Sequence, residues 1–236
     1  MLSNIENKTH IKMKKLLALL LLVTTTIFAQ KTVERELGSF NEVKIFNGLN
    51  VTLKKETNSS IKITGKKAEE VVVKNVNGKL KLSMRFPETF NSDEAEVTIH
   101  YSENLSVIDV NEGSYVTADT ILKQQHVELR AQEGAVIDLD IEVKYLEVKS
   151  VTGASIVLSG MAENQNIEAT TGGSYKAYGL KSNYATIISA TGSFVRVSVS
   201  ELLDAKVRLG GTVYYKGNPK DVKEKKIIGG TIKSKD

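Results

Sequence analysis

The residues whose types and spacing come closest to catalytic chemistry are two aspartates separated by a single position. Asp138 and Asp140 flank Leu139 in the stretch VIDLDIE. Alternate positions of a β-strand share one face, so both carboxylates would point the same way. Two neighbouring carboxyl groups can act as the acid and the base of glycoside hydrolysis. Leu139 is apolar and would point inward, however, so the pattern favours a polar strand exterior over a catalytic pair.

The sequence offers no metal site and no activated nucleophile. After residue 29 it contains only two histidines, His100 and His126, which lie far apart, and it contains no cysteine. Zinc sites need clustered nitrogen or sulfur ligands, which this spacing does not provide. Serines follow several glycines, at Ser155, Ser174 and Ser193, but none lies in a G-x-S-x-G motif. We therefore predict a protein without catalytic residues, metal or cofactor.

The chain begins with a segment typical of a secretory signal peptide. Two lysines precede an apolar run from residue 16 to residue 23, and small residues lead to Ala29. A basic start, a short apolar stretch and a small residue before the cleavage point define such peptides, and the run is too short to span a membrane. We predict a signal peptide at residues 1–29, with Met13 as an alternative start. The protein would then be exported to the periplasm, the outer-membrane surface or the medium.

Charge gives no reason to expect a nucleic-acid partner. Of the 32 basic and 28 acidic residues, four lysines and one glutamate lie in the predicted signal peptide, so 28 basic and 27 acidic residues remain. Domains that bind nucleic acid usually carry a clear basic excess on one surface. We therefore predict that the exported chain has no nucleic-acid partner and no membrane span.

The remainder of the chain alternates apolar and polar residues with period two. Stretches such as NVTLKKE, GKLKLSM and HVELRA show this alternation, and the whole chain has only two prolines. Period-two alternation is typical of half-buried β-strands, and the abundant valine, isoleucine, threonine and tyrosine favour strands as well. The sequence therefore predicts an all-β protein.

A glycine-centred phrase recurs through the second half of the chain. The recurring glycines, spaced by 18–21 residues, are Gly113, Gly134, Gly153, Gly172, Gly192, Gly210 and Gly229. The residues three positions later are Val116, Ile137, Ile156, Tyr175, Val195, Val213 and Ile232. Such a period is too short for a propeller blade and lacks a helical half. Stacked coils of a parallel β-solenoid would place each column on an inward ladder, with a spacing of about 4.8 Å.

We accordingly predict a right-handed parallel β-helix of about 19–20 residues per coil with an N-terminal β cap. Each glycine would mark a corner that needs positive φ or close backbone approach. Residues 30–104 follow the β pattern without the phrase and are predicted to supply the cap and the first strands. They would form one continuous domain with the repeats at residues 105–236. Asn77 and Gly78 are predicted to form a hairpin turn.

Several motifs in order give the chain a family resemblance. They are FNEVKIFNGLNVTLKKE, GKLKLSM, EVTIHYSENLSVIDVNEGSYVTAD, the glycine phrases and VYYKGNP. With these motifs the chain resembles the head GIN domain family of putative auto-transporter adhesins, common among secreted proteins of Bacteroidetes-like bacteria, over residues 38–232. The resemblance implies a β-helical envelope or extracellular protein of adhesin type, and it carries over no catalytic residue.

Two other functions stay open beside an adhesin-like one. Parallel β-helices include lyases that act on acidic sugars with clustered aspartates, a calcium ion and a basic residue. Here Arg130, Arg196 and Arg208 lie on different coils, so a carbohydrate-active lyase or glycosidase is an alternative rather than the first prediction. A structural scaffold that self-associates through its end coils is the other alternative.

A binding surface is the functional feature that the repeat pattern favours most. Outward positions just after the glycines include Tyr115, Phe194, Arg196 and Tyr214. Aromatic rings with a polar edge suit contact with sugars. We predict that these four residues bind a glycan or a cell-surface protein. The predicted function is therefore that of a non-catalytic, exported, adhesin-like binding protein.

Overall fold

The computed structural model describes residues 31–86 and 94–235, and strands account for most of them. The strands are β1 (Thr32–Glu36), β2 (Glu42–Ile45), β3 (Asn50–Lys55), β4 (Ser60–Thr64), β5 (Val71–Val76), β6 (Lys79–Met84), β7 (Glu96–Tyr101), β8 (Val107–Val110), β9 (Tyr115–Ala118), β10 (Leu122–Ala131), β11 (Val136–Ser150), β12 (Ser155–Ala169), β13 (Ser174–Ala190), β14 (Phe194–Arg208), β15 (Thr212–Lys216), β16 (Asp221–Ile227) and β17 (Thr231–Ser234). A 3₁₀ turn, Ala68–Glu70, precedes β5. The predicted signal peptide at residues 1–29 lies outside the described residues. Among the described residues, no helix is long and apolar enough to cross a membrane.

Two parallel ladders run along the molecule, one on each side of the glycine turns. The first sheet, which precedes the turns, has the order β6-β2-β8-β10-β11-β12-β13-β14-β16. The second sheet, which follows the turns, has the order β7-β3-β9-β11-β12-β13-β14-β15-β17. The long strands β11 to β14 bend and contribute to both sheets. The prediction of a parallel β-solenoid is confirmed.

The coil length and the inward columns agree with the sequence periodicity. Ile137, Ile156, Tyr175 and Val195 are successive partners in the second sheet, which gives coils of 19, 19 and 20 residues. All four side chains are buried. A slip of one residue would turn these side chains to solvent, because alternate positions of a strand face opposite sides. The apolar columns therefore both fill the core and set the strand register.

The corners are two-residue turns in which both central residues have positive φ. At one corner Thr152 has φ 51° and Gly153 has φ 74°, the backbone of a type I′ turn. The Gly153 amide donates a hydrogen bond of 3.1 Å to the carbonyl oxygen of Thr171 in the next turn. The predicted role of the glycine corner is confirmed, and the predicted hairpin at Asn77 and Gly78 has the same backbone between antiparallel β5 and β6.

At the double glycine Gly172–Gly173, the two residues have different structural roles. Gly172 has φ 74°, and a Cβ atom there would meet nothing closer than 3.9 Å. Gly173 has no positive φ, but a Cβ atom there would overlap the carbonyl oxygen of Ser150. The first glycine therefore serves the turn, and the second allows the close approach of two coils.

The N-terminal segment supplies solenoid rungs as well as an antiparallel edge. β2 lies between β6 and β8, and β3 lies between β7 and β9, so the rungs do not follow chain order. β5 pairs antiparallel with β6, β4 pairs antiparallel with β7, and β1 pairs antiparallel with β4. These three strands cover the N-terminal edge of both sheets. At the other end, β16 and β17 are the last rungs.

A buried polar pair interrupts the apolar core. Tyr175 is fully buried, and its hydroxyl donates a 2.6 Å hydrogen bond to Oε1 of Gln165, which is 3% exposed. Nε2 of Gln165 has no hydrogen-bond partner among the described residues. Burial raises the pKa of Tyr175 well above its ordinary value. Tyr175 therefore behaves as a neutral core residue rather than as a titratable surface group.

Candidate functional site

Aromatic and cationic side chains collect on the outer face of the second sheet, on its last four rungs. We call this surface the basic aromatic patch. It consists of Lys176, Tyr178, Phe194, Arg196, Tyr214, Lys216, Lys233 and Lys235. The cations are exposed and the rings are partly buried. Seven of these residues lie at outward positions of β13, β14, β15 and β17, and Lys235 directly follows β17.

The strand register brings three of the four predicted site residues together. Phe194 and Arg196 are two positions apart on β14 and therefore share a face, and Arg196 pairs directly with Tyr214 on β15. The rings of Phe194 and Tyr214 pack edge to face, with centroids 5.4 Å apart and an interplanar angle of 85°. The Arg196 guanidinium lies 4.7 Å from the centroid of the Phe194 ring. This geometry is favourable for both ring–ring and cation–π attraction.

A local irregularity of β13 places a third ring in the cluster. The register of β13 shifts against both β12 and β14 near Tyr178, and such bulges re-aim the side chains beside them. Arg196 lies 5.8 Å from the centroid of the Tyr178 ring, and Lys216 lies 5.0 Å from it. At the other side of the patch, Lys235 lies 4.4 Å from the centroid of the Tyr214 ring. The rings and cations thus form one connected group.

Tyr115, the fourth predicted site residue, lies elsewhere on the same sheet. It is on β9, four rungs from Phe194 in the same column, a distance of about 19 Å at the usual rung spacing. Its side chain is 36% exposed. Partial burial and the nearby Asp138 carboxylate raise the pKa of Tyr115 above its ordinary value. Tyr115 therefore belongs to a separate local environment beside an aspartate.

Sequence reasoning did not include the lysines at the C-terminal side of the patch. Lys216 and Lys235 each lie six positions after a turn glycine, Gly210 and Gly229. This column is outward like the one that contains Arg196, two positions earlier. The next outward position after the Arg196 column, six residues after each turn glycine, therefore identifies both lysines from the sequence.

The two aspartates with the most catalytic promise in the sequence each lie beside a hydroxyl of a neighbouring coil, Asp138 beside Tyr115 and Asp140 beside Ser159. Asp138 and Asp140 are exposed on either side of buried Leu139, as predicted. The Asp140 carboxylate accepts a hydrogen bond from the Ser159 hydroxyl. In residues 31–86 and 94–235, no three histidine, cysteine, aspartate or glutamate side chains are grouped in a way that could hold a metal ion.

One carboxylate on the strands before the turns is buried rather than exposed. Asp109 is only 4% exposed. Its carboxylate lies 3.1 Å from Nζ of Lys44 and accepts a 3.0 Å hydrogen bond from the Asn111 side chain. Lys44 and Asn111 together cover the carboxylate and keep it from solvent. Asp109 therefore contributes to packing of the early coils rather than to a binding surface.

A groove of about 880 Å³ follows the short third side of the coils, where β10 to β14 bend. Its walls carry Lys123, Glu142, Met161 and Lys181, among other residues. Lys123 and Glu142 form an ion pair of 2.9 Å. The groove thus carries charges of both signs, and the Lys123–Glu142 ion pair neutralises part of them. The basic aromatic patch carries positive charges only.

Comparison with known proteins decides the family. A family model described as putative auto-transporter adhesin, head GIN domain, matches residues 39–219. This chain belongs to that family. The resemblance predicted from the ordered motifs is confirmed. No curated protein sequence matches the chain. Membership of the head GIN family supports an adhesin-like protein that is exported or at the cell surface.

Solved structures share the fold of this head GIN protein. A putative adhesin from Bacteroides fragilis aligns with a TM-score of 0.81 at 21% identity, covering 88% of this chain and 97% of that one. A putative adhesin from Parabacteroides merdae aligns at 0.69 and 18% identity, covering 89% and 98%. A putative lipid binding protein from Parabacteroides distasonis aligns at 0.65 and 14% identity, covering 88% and 98%. At these identities the likeness establishes the fold alone.

Proposed function

We propose that this head GIN protein is an exported, non-catalytic binding protein that attaches to a surface glycan through the basic aromatic patch. The observation that carries the proposal is the clustering of Phe194, Tyr214, Tyr178 and Arg196 within one set of ring contacts. Tyrosine, tryptophan and arginine are the residues that most often dominate binding energy at protein surfaces. An adhesin-like family is consistent with a ligand on another surface.

A β-solenoid is a suitable support for such a surface. The strands β13, β14 and β15 are hydrogen-bonded to a rung on each side, and β17 is hydrogen-bonded to β15. The backbone under the patch is therefore already ordered and loses little freedom on binding. Ligand affinity increases when the binding groups are already held in place, because less conformational entropy is lost. The hydroxyl groups of Ser174, Ser198 and Thr212 occupy outward positions beside the rings and are suitable hydrogen-bond partners for sugar hydroxyls.

The enzymatic alternative has less support from the same surface. A lyase or glycosidase requires a base or a pair of carboxyl groups at the sugar. The outward residues of the patch are cations, rings and hydroxyls, and the nearest aspartates of this sheet, Asp138 and Asp140, lie on an earlier rung beside Tyr115 and Ser159. The arrangement of the patch therefore suits recognition better than bond cleavage.

The experiment is a glycan-array screen of the purified protein, with binding to intact producing cells measured in parallel. Phe194→Ala and Tyr214→Ala are expected to weaken binding, whereas Tyr145→Ala is the matched control. Tyr145 is 48% exposed on the first sheet and also stacks with a lysine, Lys144. Testing Tyr115→Ala decides whether the ligand extends along the sheet beyond the patch. Equal weakening by Tyr145→Ala, or no binding in either assay, would refute the proposal.

A further inference from the structure

Charge is segregated along the outer face of the second sheet. On β11 this face carries Asp138 and Asp140, and the next rung, β12, has the neutral outward residues Ser155, Val157 and Ser159. From β13 onward the sign reverses. The segments of the last four rungs, at residues 174–182, 194–200, 212–216 and 231–235, contain no aspartate and no glutamate.

The first sheet shows that this segregation is not a general property of the coils. There, several basic residues form ion pairs with carboxylates. Arg130 binds Glu128 at 2.5 Å, and Lys226 lies 3.1 Å from Glu224. In the part of the chain that the structure describes, Lys176, Arg196, Lys216, Lys233 and Lys235 form no such ion pair. The positive charge of the patch is therefore uncompensated by neighbouring carboxylates.

Three of these cations contact rings, which do not neutralise their charge. Arg196 lies over Phe194 and Tyr178, Lys216 lies over Tyr178, and Lys235 lies over Tyr214. A ring attracts a cation through its quadrupole and leaves the net charge unchanged. The contact restricts long side chains that would otherwise lose entropy on binding. Arg196, Lys216 and Lys235 are thus prepositioned positive charges, and Lys176 and Lys233 add exposed charge on the same face.

The cations also recur at the spacing of the rungs. Lys176 on β13, Arg196 on β14 and Lys233 on β17 lie in one outward column, in which Tyr214 represents β15. Lys216 supplies the charge of that rung from the next outward position of β15, two residues after Tyr214. Four rungs span about 14 Å. A sugar unit of an extended polysaccharide has roughly the length of one rung spacing. A chain that crosses the strands would therefore meet a new cation at nearly every sugar.

We propose that the patch binds an acidic polysaccharide, whose carboxylate or sulfate groups pair with Lys176, Arg196, Lys216 and Lys233. This inference rests on the proposed glycan-binding function and names its substrate class. Individual exposed ion pairs are weak, so recognition needs a polymer that presents several charges at once. The rings of the patch are partly buried and its outward residues include no leucine, isoleucine or methionine, so the patch offers little apolar surface to insert into a lipid bilayer.

Matched polymers test the charge requirement directly. Binding of the purified protein is measured to polygalacturonate and to its methyl ester, and to dextran sulfate and to dextran. We expect the two charged polymers to bind and their neutral counterparts to bind weakly. Raising the salt concentration from about 0.1 M to about 1 M shortens the screening length from ~10 Å to ~3 Å and should abolish binding.

Charge-removing variants place the interaction on the patch. The double variant Arg196→Gln, Lys216→Gln is expected to weaken binding about tenfold or more. Lys149→Gln, an exposed lysine of the first sheet, is the matched control and should bind as the parent does. Circular dichroism of each variant confirms that the strands are intact.

Each contrary outcome has a distinct meaning. Binding to neutral glycans that Phe194→Ala weakens and salt does not would retain the proposed function and refute an acidic ligand. Tighter binding to single-stranded DNA or to vesicles with an anionic phospholipid would refute the polysaccharide class. Equal losses in Lys149→Gln and in the double variant would show non-specific charge attraction and overturn the inference. An absence of binding to any glycan would refute the proposed function itself.

Discussion

Replacing Tyr175 by phenylalanine tests whether the buried polar pair acts as a unit. The substitution keeps the ring in the core and removes only the hydroxyl, which donates the 2.6 Å hydrogen bond to Gln165. Both side chains are at most 3% exposed, so water cannot replace the lost donor. A buried acceptor left without its partner costs about 1–3 kcal/mol. In a chain of this length the expected decrease in Tm is on the order of 5 °C.

The companion substitution Gln165→Leu gives a second, smaller loss. It leaves the Tyr175 hydroxyl buried without its acceptor, which is unfavourable for the same reason. It also removes Nε2, which has no partner within residues 31–86 and 94–235, and this removal offsets part of the cost. The double variant carries neither polar group. We expect its free energy of unfolding to lie within about 1 kcal/mol of the parent, because replacing both partners of a buried hydrogen bond is nearly neutral.

The assay is urea unfolding of the four proteins, followed by far-ultraviolet circular dichroism. The coupling energy from this cycle should be about 1–2 kcal/mol. If the losses of the two single variants simply add in the double variant, the pair does not act as a unit and the reasoning is wrong. A Tyr175→Phe protein as stable as the parent would refute it equally.

The pH dependence of the same variant is a second readout. Burial raises the pKa of Tyr175 in the folded state well above its ordinary value of 10.0. The stabilisation associated with the neutral hydroxyl is therefore complete below pH 10 and decreases at higher pH, where the unfolded chain loses its proton first. Phenylalanine does not titrate. The deficit of Tyr175→Phe relative to the parent should shrink by about 1.4 kcal/mol from about pH 9 to about pH 11.

Four further substitutions test the corners and the covered charge. Gly173→Ala should destabilise the protein by more than about 3 kcal/mol or prevent folding, because the new Cβ would overlap a carbonyl oxygen of the preceding coil. Gly153→Ala should cost only about 1–2 kcal/mol, because its Cβ meets no other atom and only the positive φ is unfavourable. Thermal unfolding compares the two, and equal losses would refute the division of tasks between glycines. Ile228→Asn should raise Tm, because Ile228 has φ 54° and asparagine adopts this backbone more easily than isoleucine. Ile228 is 77% exposed, so little core packing is lost. A lower Tm would contradict this prediction. Lys44→Met should destabilise the fold by about 1–3 kcal/mol by leaving the Asp109 carboxylate without its ammonium partner, and urea unfolding that matches the parent would contradict this.

The periodic part of the fold could be predicted because each coil repeats the same physical requirement. An inward column and a turn glycine recur in every coil, so a single local pattern identifies the sheet, the register and the corner. The positive φ at Gly153 and the burial of Ile156 follow directly from that pattern. The early rungs were harder to place. β2 and β3 lie between strands that come later in the chain, and alternation within a strand does not specify which strand lies beside it.

The site could be predicted only in part for a related reason. Phe194, Arg196 and Tyr214 were found because they lie at fixed offsets from the glycines. Tyr178 reaches them through a register shift of β13, which no column count includes. Tyr115 obeys the same offset as Phe194 but lies four rungs away. An offset therefore identifies the face of a residue, whereas the coil number decides which residues are neighbours.

The solenoid separates the residues that maintain the fold from those that are available for binding. Inward columns keep their apolar character from Val116 to Val213, and all of these side chains are buried. Outward positions on the same strands vary between aspartate, serine, lysine and aromatic residues, because they make few contacts that the fold requires. A ligand surface can therefore arise on any coil by outward substitutions alone. In the described residues, the outward positions that combine one sign of charge with a connected set of rings lie on the last four rungs of the second sheet. Substitutions there can therefore test the proposed binding without disturbing the inward columns that maintain the fold.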